Sequence, residues 1–112
     1  MYRVMHAAEV LGTSCLELRD PLLGMTLGAF VPAPAFETVR SVFATFDQAA
    51  RAGAPDEEER LLTVYYQARD ALGLTLVTQE GVTVPTEWIH ISATEPGEHE
   101  VEAHITDPSF FT

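Results

Sequence analysis

Two helical patterns stand next to each other in the middle of the chain, over residues 34–72, and they limit the folds that it can adopt. In the first pattern, apolar residues recur at helical spacing and form one stripe: Phe36, Val39, Phe43, Phe46 and Ala50. Pro34 suits the first position of a helix, where its missing N–H costs nothing. Gly53 and Pro55 are expected to end this helix.

The second helical pattern begins after Pro55 and has clear end signals. Asp56 is predicted as the N-cap, and the glutamates at 57–59 complement the positive end of the helix dipole. Gly73 is placed where a left-handed residue ends a helix. The predicted buried stripe consists of Leu61, Val64, Tyr65, Ala68, Ala71 and Leu72.

Strand patterns precede the helices. Residues 1–11 alternate as in a strand, although a helical face closed by Gly12 is an alternative interpretation. Residues 14–20 and 25–31 predict a hairpin, with a turn that contains Gly24. Of the two glycines in this region, one is expected to make the turn, and the other, Gly28, to allow close packing.

Strand patterns also follow the helices, over residues 74–79, 82–93 and 99–106. Pro85 indicates an edge or a bulge within the second of these strands. The element order β-β-β-α-α-β-β-β, with the first strand open to the helical alternative, predicts one domain over residues 1–112. Its class is α+β: a two-layer domain in which a mostly antiparallel sheet carries two sequential helices on one face.

Charge is the strongest global signal. The net charge is −11, there is no lysine, and residues 70–112 contain eight acidic residues and no Lys or Arg. Such a surface disfavours nucleic acid and anionic membranes, because binding a phosphate backbone requires cations. It favours a basic protein partner through electrostatic steering, and the alternative is that the charge serves solubility alone.

The sequence favours a cytoplasmic protein. A single cysteine, Cys15, cannot form an internal disulfide, which fits a reducing compartment. The N-terminus has no apolar run like that of a signal peptide. The longest uncharged stretch, residues 21–36, contains three prolines and two glycines, too short and broken for a bilayer span.

The candidate site lies in the last two strands, over residues 89–105. A loop of three residues, 96–98, would place His90 opposite His104 and Ser92 opposite Glu102. Two imidazoles and a neighbouring carboxylate are a competent ligand set for a divalent metal, so His90, Glu102 and His104 are candidate Zn²⁺ ligands. The alternative is a solvated polar face without cofactor.

Trp88 shares that polar face with His90 and His104. If helices cover the opposite face, which carries Ile89 and Ile91, the polar face stays open, and Trp88, His90, Glu102 and His104 are then candidate binding residues. A large ring among polar side chains is typical of a contact surface or of a second packed layer.

The sequence contains no phosphate-binding loop and no nucleophile elbow. It therefore favours an acidic protein-interaction module, of the inhibitor or immunity type, over an enzyme. The alternative is a small-ligand or metal-binding protein or enzyme that uses the His/Glu cluster. A third hypothesis is a homo-oligomer, formed through an edge strand or through Phe110 and Phe111.

Overall fold

The computed structural model describes residues 1–95 and 97–112. Two α-helices, α1 (Arg40–Ala50) and α2 (Pro55–Leu72), separate four strands from four more. Short 3-10 helices lie at Pro34–Thr38 and Pro108–Phe111. The strands are β1 (Tyr2–His6), β2 (Glu9–Ser14), β3 (Leu18–Asp20), β4 (Met25–Pro32), β5 (Thr75–Thr78), β6 (Thr83–Val84), β7 (Thr86–Glu95) and β8 (Glu98–Ile105).

The strands form one curled antiparallel sheet. Its strand order is β6-β5-β1-β2-β4-β8-β7, and β3 pairs with β4 beside this path. Although β5 and β7 lie far apart in that order, they contact each other, because the sheet curls towards closure. The two helices pack on one another and both contact β7, so the α+β architecture with two sequential helices is confirmed.

The core is enclosed by the curl and closed by aromatic side chains of the helical segment. Phe36 packs on Phe30 and on Phe43, with ring centroids 5.5 and 6.2 Å apart. The buried apolar side chains from the strands are Val4, Leu11, Phe30, Leu76, Val84, Ile89, Ile91, Val101, Ala103 and Ile105. Alternate residues of β7 and β8 therefore face this core, as the period of two predicts.

The N-terminal strand prediction is correct in type, but residues 1–11 belong to two strands. β1 and β2 form a hairpin that turns at Ala7, which has a positive φ of 54°. Alanine rarely adopts this left-handed conformation, so the local sequence gives no turn signal. The helical alternative for this segment is wrong.

The hairpin predicted over 14–31 is confirmed only next to its turn, where β3 pairs with the start of β4. Leu16 has a positive φ of 49°, and its N–H donates to Ser14 Oγ at 3.1 Å. This bend turns Leu16 fully into the core, whereas Leu18 stays 63% exposed, so the two leucines do not share a face. Pairing starts again at β3, where Leu18 lies opposite Leu27.

The two glycines of this hairpin have the expected roles. Gly24 lies in the turn with φ of +67°. At Gly28 a Cβ atom would lie 2.5 Å from Ser14 Oγ and 2.9 Å from the Cα atom of Leu16. The bend at Leu16 and the glycine in β4 therefore fit together, since only a residue without a side chain leaves room for the bend.

Both helices exist, but their ends differ in detail from the expectation. The first begins as a 3-10 turn, and Ala49 rather than Ala50 is buried in α1. In α2 the N-cap is Ala54 and Pro55 is the first residue, so the assignment of Asp56 as N-cap is wrong. Proline takes that position because its fixed φ and missing N–H suit the first turn. Gly73 ends α2 with φ of 62°, as expected.

The buried stripe of α2 is rotated relative to the prediction. Tyr65 is buried and Leu61, Ala68 and Leu72 are half-buried, but Val64 is 46% exposed. Arg69, four residues after Tyr65, lies on the packed side instead. Within the described residues, no helix has both the length and the apolar character that crossing a membrane requires.

Candidate ligand-binding cleft

The register of β7 and β8 differs from the predicted one by two residues. His90 lies opposite Glu102, and His104 lies opposite Trp88. Pairing continues to Glu95 and Glu98, so the connection is shorter than predicted; it contains Gly97 with φ of +82°. Pro96, which the sequence assigns to this turn, lies outside the described residues. A slip of two residues keeps every side chain on its face, so the apolar pattern could not reveal it.

The new register separates the two histidines that the sequence placed opposite each other. His104 stacks on Trp88, with ring centroids 6.1 Å apart, and its Nδ1 lies 2.6 Å from Glu87 Oε2. His90 uses its own Nδ1 for a different partner, the hydroxyl of Tyr65. Within residues 1–95 and 97–112, no group of three or more His, Cys, Asp or Glu side chains is placed to hold a metal ion.

The face of β7 that carries His90 is not open, contrary to the expectation. Aromatic side chains from both helices surround the imidazole: the ring centroids of Phe46, Tyr65 and Phe43 lie 4.5, 5.4 and 5.9 Å from that of His90. The helix pair therefore contacts this side of the edge strand as well as the core. At His90, the polar face of β7 is therefore covered by the helix pair, which forms a second layer over it.

Tyr65, which is buried, and His90, which is half-buried, form a hydrogen-bonded pair that links α2 to β7. Burial raises the pKa of Tyr65 to about 12, and the nearby Arg69 acts in the opposite direction. Burial also lowers the pKa of His90 to about 4, an effect that Asp47 opposes and Arg69 reinforces. Both side chains are therefore neutral at neutral pH, because each charged form would lose too much solvation.

Arg69 lies next to this pair and is surrounded by aromatic rings. Its guanidinium carbon is 5.1 Å from the ring centroid of Tyr66 and 5.5 Å from those of Tyr65 and Trp88. The side chain is only 13% exposed, and its ion pair is with the neighbouring Asp70 at 3.3 Å. Cation–π contacts with several rings hold the guanidinium in place.

These groups line a cleft of about 690 Å³ between α2 and the outer face of β7 and β8. One wall comes from the helices, and the floor is formed by alternate residues of the two strands. The lining side chains are Phe46, Tyr65, Tyr66, Arg69, Asp70, Trp88, His90, Ser92 and Glu102. Aromatic surface and a few polar groups thus converge in a concave site, the usual make-up of small-molecule sites.

The sequence indicated part of this cleft. Trp88, His90 and Glu102 line it together, whereas His104 lies beside Trp88 outside the lining set. The helix residues Tyr65, Tyr66 and Arg69 were missed as site residues. The sequence does hold a signal for them, since Tyr65 and Arg69 are four residues apart on one helix face, but the apolar stripe by itself predicts only a core role for Tyr65.

Comparison with protein-family models, with curated proteins and with solved structures finds no match to this chain.

Proposed function

We propose that this chain is a small-ligand-binding protein and that the cleft between α2 and the outer sheet face is its binding site. One observation supports this most: aromatic walls and neutral or charged hydrogen-bonding groups converge in a cavity of about 690 Å³. Cavities of roughly 300–1,000 Å³ with this composition are typical of sites for small molecules.

The polar groups of the cleft favour binding over proton transfer. An imidazole whose pKa is about 4 is a weak base at neutral pH, and a phenol whose pKa is about 12 is a weak acid. General acid–base groups work best when their pKa lies near the working pH. Tyr65 and His90 are therefore suited to orient one another and to offer fixed hydrogen bonds to a ligand.

Trp88 makes the proposal directly testable, because it is the only tryptophan in the chain and it lines the cleft. A library of planar fragments is titrated into ¹⁵N-labelled protein, and the indole N–H resonance of Trp88 is followed. We expect fragments that shift this resonance to shift those of Tyr66 and Arg69 as well. Fragments that bind only elsewhere, or none that bind at millimolar concentration, would contradict the proposal.

Two matched variants locate the binding. Tyr66→Ser removes a partly exposed ring from the cleft wall, and Val31→Ser removes a similarly exposed side chain on β4, away from the cleft. We expect Tyr66→Ser to weaken fragment binding several-fold and Val31→Ser to leave it unchanged. Equal effects of the two substitutions would show that the cleft is not the site.

A second candidate function rests on charge. We propose, as the alternative, that the chain is an acidic interaction module for a basic protein, of the inhibitor or immunity type. The carboxylates Asp56, Glu58 and Glu59 at the start of α2 are exposed, and so are Glu95 and Glu98 at the end of the β7–β8 hairpin. Clustered charges of one sign speed encounters with a partner of opposite sign.

The electrostatic function is tested with a partner purified by affinity capture at low salt. Its affinity for the chain should fall steeply as salt rises, and the double variant Glu95→Gln/Glu98→Gln should weaken it further. The matched control is Glu9→Gln/Glu17→Gln, which changes the net charge equally at other exposed positions. This function would be excluded if the affinity for the partner changed neither with the salt concentration nor with the Glu95→Gln/Glu98→Gln substitutions.

A further inference from the structure

Among the residues that the structure describes, Arg69 is the only Arg or Lys side chain that lines the cleft, and part of its hydrogen-bonding capacity is free. Its Nε and Nη2 both donate to a single oxygen, Oδ1 of Asp70, at 3.3 Å. These are long bonds to a carboxylate that is 66% exposed. A guanidinium has five N–H donors; two face Asp70 and one acts on the Tyr65 hydroxyl, so two remain available to a ligand.

The rings around Arg69 determine which charge a ligand can bring. The places over Tyr65, Tyr66 and Trp88 that attract a cation are already taken by the chain's own guanidinium. A cationic ligand would have to displace Arg69 from these rings. An acceptor group instead complements the guanidinium, and a carboxylate matches its fork with two parallel hydrogen bonds.

A second donor lies in the same lining. Arg69 donates to the oxygen of the Tyr65 phenol, so the hydroxyl hydrogen is directed to Nδ1 of His90 and the ring proton of the imidazole is assigned to Nε2. His90 thus supplies a neutral N–H donor in the same lining as Arg69. Tyr66 and Trp88 provide flat apolar surface for a planar group.

The carboxylates of the lining limit how much negative charge a ligand can carry. Asp70 is next to Arg69, and Glu102 lies opposite His90 on the floor of the cleft. The lining thus carries two carboxylates against one guanidinium, so each negative charge that a ligand adds is a cost that only its direct bonds to Arg69 offset. A ligand with a single negative charge is therefore favoured over a phosphate dianion.

Resting on the proposed small-ligand function, we infer that the cleft binds planar aromatic monocarboxylates. The carboxylate is held by Arg69 with support from the N–H of His90, and the aromatic part packs against the surfaces of Trp88 and Tyr66 that line the cleft. Glu102 at the floor selects against a second negative charge.

Four probes with the same ring system test this inference: 2-naphthoate, 2-naphthamide, 2-naphthylmethylammonium and 2-naphthyl phosphate. They are titrated against the Trp88 indole resonance at about 150 mM NaCl, where screening over roughly 8 Å suppresses long-range repulsion by the acidic surface. We expect 2-naphthoate to bind at least about tenfold more tightly than each of the others, since hydrogen bonds to a charged group are the stronger ones.

The matched variants are Arg69→Gln and Arg60→Gln, the same substitution on the same helix, inside and outside the cleft. The side chain of Arg60 is 65% exposed and pairs only loosely with Glu57, at 3.8 Å. Arg69→Gln should remove the preference for the carboxylate while the amide still binds, and Arg60→Gln should keep the preference. If Arg69→Gln does not fold, Arg69→Lys decides: the preference should fall several-fold, because an ammonium lacks the planar fork.

The outcomes separate this inference from the proposed function. Equal binding of naphthoate and naphthamide in the cleft, or tighter binding of the ammonium or phosphate probe, overturns the inference and leaves the ligand-binding function standing. A preference for the carboxylate that survives both Arg69 variants also overturns it. If neither these probes nor the planar fragments bind in the cleft, both the inference and the proposed function are wrong.

Discussion

The hydroxyl of Tyr65 is hydrogen-bonded to Nδ1 of His90, and this bond joins helix α2 to the edge strand β7 in the lining of the cleft. Tyr65 is 1% exposed, so little water can replace the partner of its hydroxyl if that partner is lost. The pair therefore has two roles: it fixes the helix over the sheet, and it sets which ring nitrogen of His90 faces a ligand as a donor.

Removing the Tyr65 hydroxyl should destabilise the fold. We expect Tyr65→Phe to lower the free energy of unfolding by about 1–2 kcal/mol, because Nδ1 of His90 loses its partner in a buried environment. Urea unfolding followed by circular dichroism measures the change. Tyr66→Phe is the matched control on the exposed side of the same helix, with an expected change below about 0.5 kcal/mol. Equal losses in the two variants would contradict the role of the hydrogen bond.

His90 should make the fold less stable as the solution is acidified. Its pKa falls from 6.5 to about 4 on folding, so between these values the unfolded chain binds a proton that the folded chain does not. Stability is then fully retained above pH 6.5 and falls as the pH drops towards 4, by on the order of 3 kcal/mol at most.

The comparison with His90→Gln isolates this effect, because both proteins contain the same carboxylates. The groups that act on the imidazole, Asp47 and Arg69, are also unchanged. We expect the difference in unfolding free energy between the two proteins to change across pH 4–6.5 and to be constant above it. Parallel pH profiles, or an NMR titration of His90 with a midpoint near its ordinary pKa, would disprove the buried neutral imidazole.

Element types and their order could be predicted from the sequence because they rest on local patterns. Period-two alternation revealed Ile89 and Ile91 as core residues of β7, and Gly73 marked the end of α2. Local patterns cannot reveal a backbone conformation that is rare for the residue type that adopts it. The turn at Ala7 and the bend at Leu16 are of this kind, and tertiary contacts stabilise them.

The cleft was harder to predict than the fold because it depends on register and on the rotation of a helix. A two-residue slip between β7 and β8 leaves all faces unchanged, yet it replaces the His90–His104 pair with His90–Glu102. A small rotation of α2 exposes Val64 and turns Arg69 inward. Neither change alters the apolar periodicity enough to be visible in one sequence.

The close approach of β4 to the bend at Leu16 should make Gly28 intolerant of any side chain. We expect Gly28→Ala to lower the free energy of unfolding by about 2–3 kcal/mol or more, since the new Cβ would meet Ser14 Oγ at 2.5 Å and backbone at 2.9 Å. Gly53→Ala is the matched control, because a Cβ there has nothing within 4 Å. Thermal unfolding of both variants distinguishes them, and similar midpoints would argue against the close packing.

The C-terminal residues 108–112 should stabilise the folded state of their own chain. Arg19 donates to the carbonyl oxygen of Phe110 at 3.1 Å and to the Tyr2 hydroxyl at 3.2 Å, and its guanidinium lies 4.2 Å from the centroid of the Phe110 ring. Phe110 and Phe111 also pack against the core of their own chain. The proposed use of this tail for self-pairing competes with these contacts.

Deletion of residues 108–112 should therefore cost stability without changing the oligomeric state. We expect the free energy of unfolding to fall by about 2–3 kcal/mol, because two half-buried phenylalanine rings and the partners of Arg19 are lost. Removing Thr112 alone is the control, since that residue is exposed. Light scattering of the three proteins measures how many chains each particle contains. Fewer chains per particle after the longer deletion, with stability unchanged, would show that the tail serves self-association instead.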